Sequence, residues 1–589
     1  MSLKTFEYFV SFVFNRSTQT NKPSYMKQLR WQILVVVVTL GIVAVLLFSQ
    51  QSPVTSGPFL PQPEQGGVYT EALIGSLGRL NPLLDWNNSA DRSVDRLLFS
   101  GLIRFDEHGL PQADIAQAWG VAQDGTVYNF SIRPNAIWHD GTPVTSEDVI
   151  FTVDRMKSAG SLYPQDIKDL WSKIKVTKLS DKTLKFTLPE PFVPFMDYLT
   201  FGILPKHLLE SVSPDQMPNA DFNINPVGTG PYKFDHLIVD NGQIIGVVLT
   251  ASDTYYGKPP FIEQVVFRYY QSSAAALDAY QQGDVLSVSQ ITSDVLNTAL
   301  EEPNLSIYTS RLPQMSFVLF NLNNSEVAFL QNAKVRRALM LGVNRPYIIN
   351  KLLQGQAVIT DGPILPGSWA YYDGTEHFEY NPDESINLLK GEGYVIPAEG
   401  GDVRAKDGTS LAFTLLHPND IVHAQIAQMI KEEWAEIGVR VDLQAVPYDK
   451  LATDFLAPRS YQAALIDMDL SRTPDPDPYP FWHQAEATGG QNYSQWDDRA
   501  ASEYLEQARV TTDYTLRTRL YRNFQVVFAK ELPALPLFAP VYSYGVDSQV
   551  QGVQVAALYD PSDRLATFTN WYLLTRRALE QTEVPTTAP

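Results

Sequence analysis

The chain contains no cysteine among its 589 residues. Without a thiol it can form no disulfide, no thiolate-bound metal site and no cysteine nucleophile. Its eight histidines include no His-x-His pair and no His-Glu-x-x-His motif, which are spacings typical of zinc sites. We therefore expect neither a metal site nor any other cofactor.

Positive charge is scarce as well. The chain carries 45 Lys and Arg residues against 65 Asp and Glu residues, a net charge of −20. Such a chain repels phosphate backbones at long range, so we expect no nucleic-acid partner. The sequence also lacks a Gly-x-Ser-x-Gly motif and a Gly-x-x-x-x-Gly-Lys-Ser/Thr loop, so acyl transfer and nucleotide hydrolysis are without their usual signatures.

One long apolar run lies near the N-terminus. Residues 31–48 (WQILVVVVTLGIVAVLLF) carry no charge over eighteen positions, which as a helix span about 27 Å and can cross a bilayer core. Residues 1–30 hold five Lys or Arg and one Glu, so the positive-inside rule places them in the cytoplasm. Because no Ala-x-Ala-like site follows, we predict an uncleaved transmembrane signal anchor over residues 31–49, with a cleaved signal peptide as the alternative.

This anchor predicts a single-pass protein of the bacterial cytoplasmic membrane, with the lipid bilayer as a partner of residues 31–49. Residues 50–66 are rich in Pro, Ser, Gln and Gly and predict a flexible linker. Alternating apolar and polar residues over 128–132 predict a strand. Strand and helix signals then alternate, which indicates an α/β protein. Residues 576–589 lose the apolar pattern and are predicted to be disordered.

Several motifs resemble those of one family. Pro226–Phe234 (PVGTGPYKF) is similar to the most recognisable motif of the solute-binding proteins that serve peptide and nickel ABC importers. Trp138–Val149 (WHDGTPVTSEDV), Tyr380–Asp383 (YNPD) and Asn492–Trp496 (NYSQW) lie in the order expected of that family. The resemblance covers most of the chain after residue 66.

This resemblance implies a two-lobed periplasmic-binding-protein fold of type II, with an extra subdomain and with two hinge strands between the lobes. A transmembrane helix precedes the fold. The resulting division of the chain is a cytoplasmic segment 1–30, the anchor 31–49, the linker 50–66, lobe I at 67–309 with an extra subdomain at about 80–222, lobe II at 310–540, a return to lobe I at 541–575, and the tail 576–589.

The segment Ile466–Trp482 combines four aspartates, one arginine and three aromatic residues with four prolines. The prolines exclude a long helix and predict a stiff loop, which binds with little loss of conformational freedom. The resemblance implies that this segment lines the cleft. Dipeptide receptors of the family carry an aspartate for the ligand's amino group where this chain has Arg472. They also carry an arginine for the ligand's carboxylate in a loop that here reads Leu416–Asp420. Both differences argue against a strict dipeptide receptor.

The candidate ligand-binding residues combine aromatic faces, carboxylates, an amide and a guanidinium, which suit a peptide or a sugar ring. They are Asn321, Trp369, Tyr371, Asp469, Arg472, Asp475, Trp482 and Tyr493. The aromatic candidates also fit a role in core packing. We predict no catalytic residue and no enzymatic activity.

The predicted function is that of a membrane-tethered receptor. It captures a peptide or a similar small polar solute by closing its cleft, and passes the solute to ABC permease subunits. Two alternatives keep the same fold, namely an oligosaccharide receptor and a sensor subunit without transport. A remote alternative is a hydrolase that uses Asp475 or Asp477 as a catalytic carboxylate.

Overall fold

The computed structural model describes residues 36–39, 59–106, 109–158, 163–471 and 474–579. By its internal contacts the chain divides into two compact units, one comprising Met1–Gln62 with Arg576–Pro589 and the other comprising Pro63–Thr575. In the first unit, residues 36–39 are helical.

The strands of the described chain are, in order, β1 Phe59–Glu64, β2 Val68–Ile74, β3 Ile103–Phe105, β4 Pro111–Ala113, β5 Ala116–Val121, β6 Val127–Ile132, β7 Lys175–Ser180, β8 Thr183–Thr187, β9 Tyr232–Asp240, β10 Gln243–Ala251, β11 Gln264–Tyr270, β12 Ser287–Val288, β13 Leu305–Arg311, β14 Gln314–Phe320, β15 Ala357–Ile359, β16 Ala405–Lys406, β17 Thr409–Ser410, β18 Ala412–Pro418, β19 Arg440–Val446, β20 Ala463–Asp469, β21 Ala534–Asp547 and β22 Leu574–Leu579.

The α-helices of the second unit are α1 Ser89–Leu98, α2 Ser146–Ser158, α3 Gln165–Lys173, α4 Lys206–Leu209, α5 Ser273–Gln281, α6 Leu296–Leu300, α7 Ala333–Leu341, α8 Arg345–Lys351, α9 Pro382–Gly391, α10 Ile421–Glu436, α11 Tyr448–Lys450, α12 Tyr479–Trp482, α13 Arg499–Val510 and α14 Tyr514–Glu531. Short 3-10 helices include Val193–Leu199 and Pro561–Leu565.

β1 and β22 pair in a sheet of their own. They occupy part of the predicted linker and the first residues of the predicted disordered tail, so these stretches differ from the prediction. The physical reason is that strand pairing uses backbone groups, a C=O from every residue and an N–H from every residue but proline, and therefore needs no apolar pattern.

A large mixed sheet forms the centre of the second unit, in the strand order β19-β18-β20-β14-β21-β12-β2-β11-β10-β9. The long strand β21 runs through both halves of this sheet. Ala534–Phe538 pairs with β14, whereas Val541–Asp547 pairs with β13. β13 leads directly into β14 through Leu312 and Pro313, so the chain passes from one half of the sheet to the other there and again within β21.

The two hinge strands that the family resemblance implies stay a prediction, which these crossings favour. The lobe boundaries stay predictions that the sheet order favours, because Pro63–Thr575 forms one compact unit by its contacts. We keep the name lobe I for residues 67–309 with 541–575, and lobe II for residues 310–540.

Part of lobe I is a separate four-stranded sheet in the order β5-β6-β8-β7. In β6, Tyr128, Phe130 and Ile132 are buried and alternate with more exposed residues, as the period of two along a strand predicts. The rings of Phe130 and Phe186 meet edge to face at 5.7 Å between centroids. This sheet lies within the predicted extra subdomain and packs into the same apolar core as Tyr69 and Leu73 of β2.

Lobe II has an apolar core on each face of its sheet. Val318 and Phe320 of β14 belong to one core, which includes Trp434 of α10. Phe317 and Leu319 belong to the other core, because successive side chains of a strand point to opposite faces. The α/β class is thereby confirmed.

The predicted transmembrane segment lies almost entirely outside the described residues, which include only 36–39 of it. Among the helices that the structure does describe, none combines the length and the apolar character needed to cross a membrane.

Candidate functional site

A large cavity lies between lobe I and lobe II. Its volume is about 1300 Å³, above the roughly 300–1000 Å³ of ordinary small-molecule pockets. The wall from lobe I includes residues of α1 and of the segment 555–567, and the wall from lobe II includes residues of 363–368 and 474–477. Residues 309–313, where β13 leads into β14, line the cavity between the two walls. The cavity therefore has room for a solute larger than a single amino acid.

Helix α1 shows how local sequence builds one wall. The Asn88 side chain caps it by accepting hydrogen bonds from the N–H groups of Ala90 and Asp91. Its apolar residues Val94 and Leu98 are fully buried in the lobe I core. The helix and the residue after it contribute a row to the cavity with the spacing of one helix face, namely Arg92, Asp95, Arg96 and Phe99.

Two of the predicted ligand-binding residues line the cavity. Asp469, at the end of β20, is exposed and its Oδ1 accepts a hydrogen bond from the N–H of Ser471 at 2.8 Å. Asp475 lies in the same wall but is buried. Its Oδ2 is 2.5 Å from Nη1 of Arg517. A third predicted residue, Arg472, lies outside the described residues.

Asp475 is more a structural anchor than a free ligand group. Burial alone would lower the pKa of the Arg517 guanidinium, but the negative charge of Asp475 outweighs burial and raises that pKa above its usual value. The carboxylate of Asp477 is likewise 2.7 Å from Nη2 of Arg509. Asp475 and Asp477 of the segment Ile466–Trp482, which we call the Pro/Asp loop, are therefore both paired with arginines of lobe II.

Three other predicted residues are buried or packed inside lobe II and do not belong to the cavity wall formed by the described residues. The Asn321 side chain donates hydrogen bonds to the backbone oxygens of Arg459 and Tyr461. Trp482 meets Phe528 edge to face at 4.8 Å between ring centroids. Tyr493 lies under the guanidinium of Arg459 at 4.9 Å. The aromatic side chains of Trp482 and Tyr493 therefore serve packing inside lobe II.

Trp369 and Tyr371 are also absent from the described cavity wall. Trp369 packs against Tyr514 of α14, with ring centroids 4.7 Å apart. The Tyr371 hydroxyl faces Asp373 at 3.5 Å, and burial followed by the charge of Asp373 raises its pKa. The alternative role of these aromatics in packing is the one that the contacts favour.

The prediction missed the cavity residues of lobe I and of the crossing between the lobes. Arg104 and Arg311 line the cavity and are exposed, and no ion pair links either one to an acid in the described part of the chain. Trp86 and Tyr163 also line it, with their rings edge to face at 5.2 Å. A usable signal was present in α1, because charged residues occupy the helix face opposite its apolar residues.

Lobe I and lobe II touch directly beside the cavity. The N–H of Asp475 donates to Oδ2 of Asp197 at 2.7 Å, and Asp197 belongs to the 3-10 helix Val193–Leu199 of lobe I. Arg509 of α13 lies 5.5 Å from the ring centroid of Phe192, which precedes that helix. Burial and then the charge of Asp475 raise the pKa of Asp197 well above its usual value. These contacts join the two walls of the cavity.

Metal binding has no support in this region. Within the residues that the structure describes, no group of three or more His, Asp or Glu side chains is arranged to hold a metal ion. The residues that line the cavity include charged and aromatic side chains, which can contact a solute.

The mixed α/β sheet has two halves, which crossing strands join. A cavity lined by charged groups lies between them. This arrangement is that of a solute-binding protein. The family described as bacterial extracellular solute-binding proteins, family 5 (middle region) matches residues 111–492. The chain belongs to this family, which confirms the predicted membership in the peptide/nickel class of ABC solute-binding proteins.

Two curated relatives share most of the chain. The oligopeptide-binding protein AppA of Bacillus subtilis (strain 168) is 26% identical over 520 residues, which cover 87% of this chain and 92% of the relative. The dipeptide-binding protein of Escherichia coli (strain K12) is 26% identical over 520 residues, covering 82% of this chain and 91% of the relative.

Solved structures agree with the fold. The structure of AppA from Bacillus subtilis in complex with a nonapeptide has a TM-score of 0.65 at 25% identity, covering 87% of this chain and 100% of that chain. The structure of HbpA2 from Haemophilus parasuis has a TM-score of 0.74 at 21% identity, covering 86% and 100%. The mixed α/β fold of this chain is thus shared with these two solved structures.

Proposed function

We propose that this protein captures a peptide or a similar small polar solute in the cavity between its lobes. The observation that carries the proposal is a cavity of about 1300 Å³ lined from both lobes by groups of both charge signs. A peptide carries an amino and a carboxylate end, so it can use both kinds of group. The relative AppA, whose structure contains a nonapeptide, supports a peptide of several residues.

Arg104 and Arg311 are the groups that we assign to a carboxylate of the solute. Both are exposed cations in the cavity wall, and a guanidinium can hold a carboxylate through two parallel hydrogen bonds. Arg104 belongs to lobe I, whereas Arg311 ends β13 at the crossing between the lobes. A solute that contacts both residues would therefore join lobe I to the hinge.

Capture proceeds by closure of the cleft. A solute that contacts both walls stabilises a closed arrangement over an open one, and it shifts the equilibrium by the difference in its affinity for the two. The crossings at residues 312–313 and within β21 are the hinge. Known solute-binding proteins move in this way.

The N-terminal segment tethers this receptor to the cytoplasmic membrane, and ABC permease subunits receive the solute from the closed form. The support for tethering is the uncharged run at residues 31–48, preceded by five positive charges within residues 1–30. If the segment is an uncleaved anchor, the full-length chain stays with the membrane fraction after a high-salt wash. Release of the whole protein by salt would contradict the anchor.

A hydrolase is disfavoured by the ion pairs of its candidate carboxylates. Asp475 and Asp477 are each held in an ion pair with an arginine of lobe II, and a hydrolase would have to break that pair before either carboxylate could act on a substrate.

The proposal is tested by ligand binding to the full-length protein in detergent micelles. We expect peptides of three to nine residues to raise the melting temperature in proportion to the logarithm of their concentration, because they bind the native state only. Oligosaccharides of similar size form the second arm. A rise with oligosaccharides alone would replace the peptide by a sugar, and no rise with either class would contradict the proposed function.

Closure of the cleft is tested by measuring the distance between two dyes, one on each lobe. Because the chain has no cysteine of its own, introduced cysteines are the only sites that the dyes can label. Cysteines introduced at Asp181 in lobe I and Lys530 in lobe II, whose side chains are 75% and 81% exposed, carry a donor and an acceptor dye as unique labels. We expect a saturating peptide to change the transfer efficiency between the dyes. Binding without any change in the distance would contradict closure but leave solute binding in place.

A further inference from the structure

Asp95 is a buried carboxylate without a partner in the cavity wall of lobe I. The residue is only 4% exposed, and neither of its carboxylate oxygens has a hydrogen-bond partner in the described structure. Buried carboxylates are ordinarily paired with a cation or held by several donors. Asp95 nevertheless lies in the row of α1 residues that faces the cavity, so the missing partner can come from a bound solute.

The arginines on either side of Asp95 are already engaged elsewhere. Nε of Arg92 is 2.8 Å from Oδ2 of Asp560, and Nη2 of Arg96 is 2.9 Å from Oδ1 of Asp563. Asp560 and Asp563 belong to the N-terminal turn of the 3-10 helix Pro561–Leu565 and its cap. Each arginine therefore meets an acid from outside α1, and its charge is not devoted to Asp95.

The charges that act on Asp95 are negative. Burial, followed by the charges of Asp85 and Asp91, raises the pKa of Asp95 well above its usual value, an effect that the backbone N–H of Asn81 opposes without cancelling. Asp91 is satisfied, because its two carboxylate oxygens accept hydrogen bonds from the N–H groups of Gly78 and Arg79 at 2.9 and 2.7 Å. Asp85 lines the cavity together with Asp95. Carboxyl groups therefore outnumber the arginines in this part of the wall, where Asp85, Asp95, Asp560 and Asp563 stand against Arg92 and Arg96.

Two aromatic rings that contact each other line the same cavity. Trp86 follows Asp85 in the chain, and its ring meets that of Tyr163 edge to face at 5.2 Å. Both residues line the cavity. Aromatic faces attract cations, so carboxylates and rings here favour the same kind of ligand group.

We propose that Asp85, Trp86, Asp95 and Tyr163 form a cation subsite that receives an ammonium or guanidinium group of the solute. The inference rests on the proposed solute-binding function and adds a substrate class to it, namely solutes with a cationic group, such as peptides with a lysine or arginine side chain. Together with Arg104 and Arg311, the cation subsite would recognise a solute by opposite charges at two ends.

The test compares peptides that differ in one charge. The probes are four peptides made from tetra-alanine by placing lysine at each position in turn, and four counterparts with norleucine, whose side chain is similar in length but uncharged. Binding to the full-length protein in detergent micelles is measured by titration calorimetry. We expect at least one lysine peptide to bind tenfold or more tightly than its norleucine counterpart.

The variant Asp95→Asn keeps the size of the side chain and removes its charge. We expect the advantage of lysine to fall below threefold, while the affinity for the norleucine peptide stays within twofold of the original. The matched control is Asp154→Asn, which removes one charge from an exposed side chain of α2 outside the cavity wall. This control should keep the tenfold advantage.

The outcomes separate the two proposals. Equal affinities for lysine and norleucine peptides in the unchanged protein overturn the cation subsite while the proposed function stands. An advantage of lysine that survives in Asp95→Asn overturns the role of Asp95. If no peptide or oligosaccharide binds at all, both proposals fail. The comparison of peptides on the unchanged protein decides the matter even if the variant does not fold.

Discussion

Glu71 of β2 and Arg564 form a buried ion pair in lobe I. The hydroxyls of Tyr69 and Tyr544 donate to Oε2 of Glu71 at 2.8 and 2.7 Å, and Tyr544 lies in β21, one of the crossing strands. The positive charge of Arg564 is compensated by Glu71 in surroundings from which water is excluded. Loss of one partner therefore leaves a buried charge without compensation.

We predict that Glu71→Gln lowers the free energy of unfolding by about 3–5 kcal/mol, the range found when one partner of a buried pair is removed. The measurement is equilibrium denaturation of the full-length protein. The control is Glu376→Gln, which breaks an exposed pair with Arg337 and should change stability by less than about 1 kcal/mol. Similar losses in both variants would show that the Glu71 pair is worth no more than a surface pair.

His423 predicts a dependence of stability on pH. Burial alone would lower its pKa, but hydrogen bonds and charges from Asp467 and Asp420 outweigh burial and raise it. A raised pKa in the folded state means that the contribution of His423 is complete below its unfolded pKa, about 6.5, and is lost as pH rises through the folded value. The replacement His423→Gln should therefore destabilise the protein more at pH 5.5 than at pH 8.5.

Equilibrium denaturation at the two pH values measures this difference. His236→Gln is the matched control, because the His236 side chain is 60% exposed and contacts Asp235 of its own strand. Its effect should be small at both pH values. An equal loss of stability in His423→Gln at pH 5.5 and pH 8.5 would contradict the prediction.

Helix α14 allows the contribution of one N-cap hydrogen bond to stability to be measured. Oδ1 of Asp513 accepts a hydrogen bond from the N–H of Leu516 at 2.8 Å, and the helix continues for 18 residues to Glu531. It ends at Leu532, whose left-handed conformation (φ 44°) terminates the helical hydrogen bonds. The helix carries Tyr521 and Phe524 into the second core of lobe II.

We predict that Asp513→Ala lowers the free energy of unfolding by about 1 kcal/mol, because one backbone donor at the start of α14 loses its acceptor. Asp513→Asn keeps an acceptor oxygen and should change stability by only a few tenths of that amount. Thermal or chemical denaturation measures both. A loss as large in Asp513→Asn as in Asp513→Ala would assign the effect to charge instead of capping.

At the scale of the whole molecule, the contact between Arg509 of lobe II and Phe192 of lobe I is open to a direct test. Arg509 also pairs with Asp477, and its guanidinium lies 3.7 Å from the ring centroid of Tyr479. The same side chain therefore orders the Pro/Asp loop and touches the opposite lobe. We therefore expect Arg509 to stabilise the state in which lobe I and lobe II are in contact.

We predict that Arg509→Gln weakens peptide binding about fivefold, because an exposed to half-buried cation–π contact is worth about 1 kcal/mol. The dye pair at positions 181 and 530 should report a changed distance already without peptide. The matched control, Arg499→Gln, lies on the same helix but pairs with the exposed Glu503 and Glu506, and should bind as before. Unchanged peptide affinity in Arg509→Gln would show that the contact between Arg509 and Phe192 does not contribute to binding.

The sequence by itself determined the fold class and the family. The alternation of apolar and polar residues predicts strands such as β6, and motifs such as Pro226–Phe234 identify the family. Both signals depend only on the order of neighbouring residues. The glycines of that motif show why such motifs are constrained, because a Cβ at Gly228 or Gly230 would lie within 2.2 Å of the backbone oxygens of Leu98 and Leu97. The family resemblance implies that the Pro/Asp loop lines the cleft, and residues 474–477 of this loop do line the cavity.

Only the tertiary structure decided which side chains face the cavity. Trp482 and Asp475 belong to the predicted loop, yet Trp482 packs into the lobe II core and Asp475 is paired with Arg517. Asp95, in contrast, had no signal beyond its place on α1. The physical reason is that burial and pairing depend on partners distant in the chain, such as Asp560 and Asp563 beside the arginines of α1. The residue sequence of α1 specifies the helix, whereas the surrounding elements determine which of its charged side chains can contact a solute.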